Sequence, residues 1–426
     1  MEKKLNDKDC EILRNFIGIL DKFYLKMSSL SSSLSMMKNL VDQYFAIQRK
    51  TEQFINSKCE NVTQNEGVWH FKVPISYRKQ WNQLTQAKEQ IESALQEYPR
   101  SLFIHLISIY DNFYSNLLKN YLMNSRGSIM LCGCDKSISY QDVIDSNSIE
   151  ELKKRIIDKE IDILMRGDHK TQLNWLFSKV KGPFPIDDDL ISRFIEIVER
   201  RNLFVHADGV VSKQYINICK ENKCKLDESI KIGTQLDSSV SYFYNSVDIL
   251  LELSSKLTIY LAKSMYKNCD DVDGLFADHI YNCLENYNYK VVPKIAAYLK
   301  NWNLCNGIQM VVDVNTVLSY YLRDDEKTVK TLLSEIDWSN CSMNFLLARA
   351  VLEKNWKQSA IIMKKIGKKS KEVTQQDYIT WPLFDKFRGT SEFASAYKSL
   401  FGETFSSESV FDNSQVPDDV HASSNK

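Results

Sequence analysis

The residues whose types and spacing suit chemistry gather in one stretch, Asp187 to Tyr215, which reads DDDLISRFIEIVERRNLFVHADGVVSKQY. At its centre stand Arg201, Asn202 and His206. A guanidinium presents a planar fork of N–H donors that matches a phosphate. An imidazole gives or takes a proton near neutral pH. Together they make an anion-binding site with a titratable group, as phosphoryl transfer needs. Helical spacing limits how they combine. Asn202 and His206 are four apart and share a face. Arg201 and His206 are five apart and diverge by about 140° at 3.6 residues per turn. A distorted last turn would bring them together. So would a second copy of the helix facing the first, with two Arg201 and two His206 around one groove. A plainer reading stands beside this one: a helix-end arginine caps carbonyls or pairs with a neighbour such as Glu199, and a helix-end histidine favours the dipole there.

The elements that must position these groups are legible around them. Asp187 to Asp189 suit a helix N-terminus, where free N–H groups and the dipole favour negative charge. Leu190, Ile191, Phe194, Ile195 and Val198 recur at helical spacing. Asp208-Gly209 supplies the stop, since glycine takes positive φ without penalty. Upstream, Pro99 is expected to open a strong helix with Phe103, Leu106, Ile107, Tyr110, Phe113, Tyr114, Leu117, Leu118 and Tyr121 on its apolar face. Ser108, Asp111 and Ser115 cut a polar stripe into it. A buried carboxylate needs a partner, which an arginine from a facing helix would supply; the alternative is that Asp111 faces solvent.

RRNLFVHADGVVSKQY resembles HEPN domains of the abortive-infection type, whose hallmark is an arginine, a polar residue and then a histidine, with four to six residues between Arg and His. The resemblance extends upstream through SLFIHLISIYDNFYSNLL and IIDKEIDILMRGDHKTQLNWLFSKV, over about residues 99 to 265. It implies an all-α bundle and a metal-independent endoribonuclease with no cofactor. It also implies Arg201, His206 and Asn202 as catalytic residues, supported by Asp111 and Arg200, because such domains often carry an acidic residue on an earlier helix. The implied partners are an RNA substrate, a second copy of the chain in a homodimer, and a phage-derived trigger or an antitoxin. Glu160, Arg166 and His169 match polar positions of the family and are expected to be structural or supporting. Some members of the family have lost catalysis, so the second reading is a scaffold that binds nucleotide or a partner protein while the outer helices sense a phage component.

Composition bounds the rest. The chain of 426 residues is long enough for two or three domains. Its 43% hydrophobic and 26% charged residues are those of a globular protein. Only 13 Gly and 7 Pro argue for long helices and few turns. The 55 basic and 55 acidic residues cancel, which disfavours a non-specific nucleic-acid coat but leaves room for a local basic groove. The opening MEKKLNDKDC has no apolar core, so no secretory signal is expected. No apolar run is long enough for a bilayer. With ten Cys in no framework spacing, the expectation is reduced thiols in a cytoplasm and no membrane partner. The closest cysteines, Cys132/Cys134 and Cys219/Cys224, lack the paired knuckles of a zinc site. Phosphate-binding glycine loops, a G-x-S-x-G elbow and zincin spacing are all absent.

The expected organisation is an all-α chain: an N-terminal helical segment at 1–98, the HEPN-like bundle at 99–267, C-terminal helical hairpins at 268–403 and a disordered tail at 404–426. Residues 1 to 50 read as helix, with Ser28 to Ser35 a connection or a helix surface. Asn56 to Trp81 reads as loop, Lys79 to Tyr98 as helix, and Gly127 to Gln141 as loop. Helices are expected over Ile149 to Met165, Lys170 to Val180 and Ser238 to Tyr266, and a short extended piece over Val210 to Ile218. NFLLARAVLEKNWKQSAIIMKKIG resembles a tetratricopeptide-type helical hairpin. The lysines from Lys354 to Lys371 are expected to be a solvated face, with an RNA-backbone contact the alternative.

Overall fold

The computed structural model describes residues 5–65, 68–125, 140–180, 186–266 and 269–405. It is all-α apart from one hairpin, and none of its helices is long and apolar enough to cross a membrane, among the described residues. The chain forms two compact units. One comprises Gly18–Lys179 and Ile186–Leu253; the other takes Met1–Ile17, Val180–Pro185 and Ser254–Lys426.

The helices in order are α1 (Asp7–Leu34), α2 (Met37–Lys58), α3 (Arg78–Asn124), α4 (Tyr140–Ile144), α5 (Ile149–Met165), α6 (His169–Lys179), α7 (Asp188–His206), α8 (Lys213–Glu221) and α9 (Val240–Met265). The serine-rich segment is helix surface. Ser29, Ser31 and Ser33 donate their hydroxyls to carbonyls four residues back and stay within α1. Asn56 to Trp81 is not all loop. Strands β1 (Glu60–Asn65) and β2 (Val68–Lys72) pair antiparallel, Thr63 against His70 and Gln64 against Trp69. The two predicted helices that meet at Pro99 are one helix, α3, 47 residues long with Pro99 inside it. A proline within a helix forfeits one backbone hydrogen bond; here its ring is buried. Phe54 near the end of α2 packs on Trp81 near the start of α3 at 5.7 Å, and the Tyr98 hydroxyl further along α3 donates to the Ser33 carbonyl at the end of α1, just before α2, at 2.8 Å, so α2 and α3 run antiparallel.

The apolar face of α3 makes the core of this unit. Phe103, Leu106, Ile107, Leu117 and Leu118 are fully buried. Phe103 meets Phe204 of α7 and Tyr242 of α9, each at 5.5 Å. Tyr110 meets Phe194 of α7 at 4.8 Å. The Tyr114 hydroxyl donates to the Gln172 carbonyl of α6 at 2.9 Å. Val210 to Ile218 differs from its expected form. Val210 makes an isolated bridge to Gln235, and Ser212, still extended, caps α8 by accepting from the Tyr215 N–H at 3.1 Å.

The second unit continues with α10 (Asp270–Glu285), α11 (Val292–Lys300), α12 (Asn306–Tyr321), α13 (Glu326–Glu335), α14 (Met343–Leu352), α15 (Trp356–Ile366), α16 (Gln375–Thr380), α17 (Asp385–Arg388) and α18 (Ser391–Phe401). The expected hairpin is α14 and α15, turned at Lys354 in the left-handed region and capped by Asn355. Leu347 and Ala350 are buried between them, and Ala360 is half-buried. Trp381, Phe384, Phe387, Phe393, Tyr397 and Phe401 form a ring cluster. The lysines from Lys354 to Lys371 are exposed, and Lys354 pairs with Glu326 at 2.6 Å, as on a solvated face. The cysteines Cys132 and Cys134, residues 181–185 and the tail beyond 405 lie outside the described residues.

Candidate functional site

Helix α7 is built by its ends and its buried stripe. The Asp187 carboxylate accepts from the Leu190 N–H at 2.8 Å, and Asp188 and Asp189 fill the first turn. Leu190, Phe194, Ile197, Val198, Leu203 and Phe204 are buried. At the other end Ala207 still bonds back to Leu203, and then Asp208 (φ 48°) and Gly209 (φ 78°) turn the chain away. Gly209 is required there. A Cβ on it would lie 2.8 Å from the Leu236 carbonyl oxygen, in a backbone conformation that side chains disfavour. Arg100 of α3 fastens this corner, pairing with Asp208 at 2.8 Å and lying over the Phe204 ring. The helix stays α-helical through His206, so no distorted turn brings the motif residues together.

Asp111 does face an arginine, and it is Arg201 rather than Arg200. Its Oδ2 lies 3.8 Å from an Arg201 terminal nitrogen. Its Oδ1 is 2.7 Å from His169 Nε2. One carboxylate therefore bridges the motif arginine and a histidine at the start of α6. His169 is 9% exposed and seated against Phe194 and Tyr110. Asp168, next to it, accepts from the Thr171 N–H at 2.8 Å and its hydroxyl at 2.7 Å, which fixes the first turn of α6. Of the three polar positions expected to be supporting, His169 thus reaches the site. Glu160 is buried in α5 and Arg166 is exposed at its end. No local pattern in the sequence joins His169 to Asp111, 58 residues away.

The Arg201 side chain is 22% exposed, and its Nε is buried with no hydrogen-bond partner among the described residues. An arginine has five N–H donors in a fixed fork. Here the fork lies beside one carboxylate at long range, and its buried Nε–H is left without an acceptor among the described residues. Asn202 donates to Glu199 Oε1 at 3.4 Å. Burial raises the Glu199 carboxyl above its ordinary range, opposed by the Asn202 hydrogen bond and by the nearby His169 and Arg201. His206 ends the same face of α7, about two turns on from Glu199 and one from Asn202, and is exposed. No hydrogen bond or ion pair joins His206 to Arg201 among the described residues.

Arg200 belongs to a different arrangement. It pairs with Glu196 at 2.9 Å and stacks its guanidinium over Tyr242 at 3.8 Å. The Tyr215 hydroxyl donates to the same Glu196 oxygen at 2.7 Å, and the Tyr242 hydroxyl to the other. All the groups are buried or nearly so, and a buried charge pair persists when every lone pair is used. Burial works against the Arg200 charge, but Tyr242, Glu196 and Tyr215 hold the guanidinium above its ordinary range. Burial, followed by the Glu196 charge, pushes both phenols up. Arg200 thus ties α7 to α8 and α9 and is not free to hold a phosphate. No cluster of three or more His, Cys, Asp or Glu side chains that would suit a metal occurs among the described residues. Compared with known proteins, the chain matches no family model, no curated protein and no solved structure.

Proposed function

We propose that this chain is an endoribonuclease of HEPN type, with Arg201 and His206 as the reacting pair and Asp111 as the residue that positions Arg201. The observation that carries the reading is the Arg201 fork: held beside Asp111, partly exposed, with a buried Nε–H that has no acceptor among the described residues. Such a group is made ready for an oxyanion. His206, exposed at the end of the same helix, takes the proton from a ribose 2′-hydroxyl or gives one to the departing 5′-oxygen. The 2′-oxygen attacks the adjacent phosphorus, the P–O5′ bond breaks, and the products are a 2′,3′-cyclic phosphate and a 5′-hydroxyl. Arg201 holds the charge that develops on the phosphoryl oxygens. Asn202 orients His206 or bonds the RNA.

Arg201 and His206 diverge on one regular helix by about 140°, so the reading includes a homodimer in which two motif helices face one groove. By resemblance, the biological setting is growth arrest in defence against phage, under a phage-derived trigger or an antitoxin. The same divergence is the observation that favours the second reading, a non-catalytic scaffold whose groove binds nucleotide or a partner protein. Purified protein incubated with total RNA, with and without a chelator, separates them. The enzyme reading expects cleavage in both arms and fragments ending in 2′,3′-cyclic phosphate. Intact RNA in both arms, with nucleotide bound by the same preparation, selects the scaffold.

A further inference from the structure

Helix α8 ends in a turn that places two cysteines side by side. The Cys224 N–H bonds to the Cys219 carbonyl at 2.8 Å, and the Lys223 N–H to the Lys220 carbonyl at 3.1 Å. Lys223 sits in the left-handed region with φ 57°. This is the six-to-one and five-to-two hydrogen-bond pair of a Schellman cap, in which the first and sixth side chains pack on each other. Apolar side chains usually fill those two positions; here both are thiols. The cap therefore sets the Cys219 and Cys224 side chains against each other. Cys219 is fully buried, while Cys224 is half-buried and lines a pocket of about 430 Å³ with Ile216, Lys220, Leu226, Ile230 and Lys231.

We propose that Cys219 and Cys224 form a redox-responsive dithiol, with Cys224 the thiol that a peroxide attacks and Cys219 the one that closes the disulfide. The two differ as such a pair requires. The hydrogen bond from Cys219 pulls the Cys224 thiol below its ordinary range, and the same contact together with burial pushes Cys219 up. Burial and the Glu196 charge oppose the downward shift of Cys224 without reversing it. In the first step the Cys224 thiolate attacks hydrogen peroxide. An S–O bond forms, the O–O bond breaks and hydroxide leaves, so the sulfur is oxidised by two electrons and the peroxide reduced. In the second step Cys219 sulfur attacks the sulfenic sulfur. The S–S bond forms, the S–O bond breaks, and the departing hydroxide takes the Cys219 proton as water.

The consequence falls on the seam between α8 and α7. In the reduced state the Cys224 thiol donates to the Ser192 carbonyl of α7 at 3.1 Å, and the Ser192 hydroxyl donates to the Asn222 carbonyl at 2.6 Å. Oxidation removes the thiol donor and fixes the cap covalently. Intracellular disulfides that come and go in this way are usually redox-sensing. The inference is independent of the RNA-cutting reading.

The test uses the full chain, reduced, then treated with equimolar hydrogen peroxide and alkylated. Trypsin cuts at Lys220 and Lys223 between the cysteines, so the disulfide appears as two joined peptides. The expected result is that pair, with two of the ten cysteines protected and the rest alkylated. Cys219→Ser should instead accumulate a sulfenic acid at Cys224, trapped by dimedone, and Cys224→Ser should leave Cys219 a thiol. Joined peptides absent from the wild type, or other cysteines oxidised before this pair, would overturn the proposal.

Discussion

At the scale of single residues, Arg201 is the side chain whose chemistry is hardest to replace. A guanidinium fork can donate two parallel hydrogen bonds to a phosphate, whereas an ammonium acts as a point charge. Arg201→Lys is therefore expected to lose nearly as much cleavage as Arg201→Ala, read as initial rates on one RNA. Near wild-type rates for the lysine variant would mean that positive charge alone suffices. Glu199 offers a second readout. Burial places its carboxyl above the ordinary range and Arg201 opposes that shift, so Arg201→Ala should move the Glu199 midpoint further up in carboxyl carbon NMR. A midpoint that stays or falls would show that the two groups do not share a field. Because the folded chain holds this proton more tightly than the unfolded chain, stability from it is full at low pH and is lost as pH rises between the unfolded and folded values. The motif itself was legible in sequence, as was the need of Asp111 for a cation. Its partner His169 and the Tyr215–Glu196–Arg200–Tyr242 network were not. Periodicity says which face a residue occupies, but not which distant side chain the fold will bring against it.

At the scale of elements, α7 was readable because its signals agree: acidic residues at the start, a buried stripe, and Asp208-Gly209 at the end. The Asp187 cap and Gly209 should each carry measurable stability. Asp187→Ala removes the acceptor for the Leu190 N–H and is expected to cost about 0.5–2 kcal/mol. Gly209→Ala puts a methyl group against the Leu236 carbonyl at positive φ and is expected to cost about 1–3 kcal/mol. Chemical denaturation measures both, and unchanged midpoints would remove these residues from the account of how the helix is held. Three elements read differently from their sequence. Val210, Val211, Ile216 and Ile218 are β-branched residues in a short run, too short for periodicity to separate strand from helix; burial of Tyr215 and the Ser212 cap made α8 a helix. The hairpin of β1 and β2 hid because its residues are mostly exposed and polar. Pro99 looked like a helix start, yet α3 continues through it, with the buried residues of the helix all from Pro99 onward.

At the scale of the whole molecule, long helices and few turns followed from scarce glycine and proline, and the all-α class was plain. Composition says less about assembly, because a two-fold interface uses surface that one chain displays anyway. If each site takes Arg201 from one chain and His206 from another, the protein should scatter light as a dimer or larger even assembly at micromolar concentration. A mixture of Arg201→Ala and His206→Ala chains should then recover part of the activity that each lacks alone. A monomer whose specific activity is unchanged on dilution would contradict the composite site and leave Arg201 and His206 to act within one chain.

The central claim is that these two side chains cut RNA, and the most direct test is single-turnover cleavage by wild type, Arg201→Ala and His206→Ala at matched folding. Both side chains are at least partly exposed near the end of α7, so circular dichroism and thermal midpoints should be close to wild type. Loss of a proton-transfer group or an oxyanion donor costs about 10²–10⁴-fold in rate, and a loss of at least about a hundredfold is predicted for each variant. Cleavage by either folded variant at the wild-type rate would contradict the account.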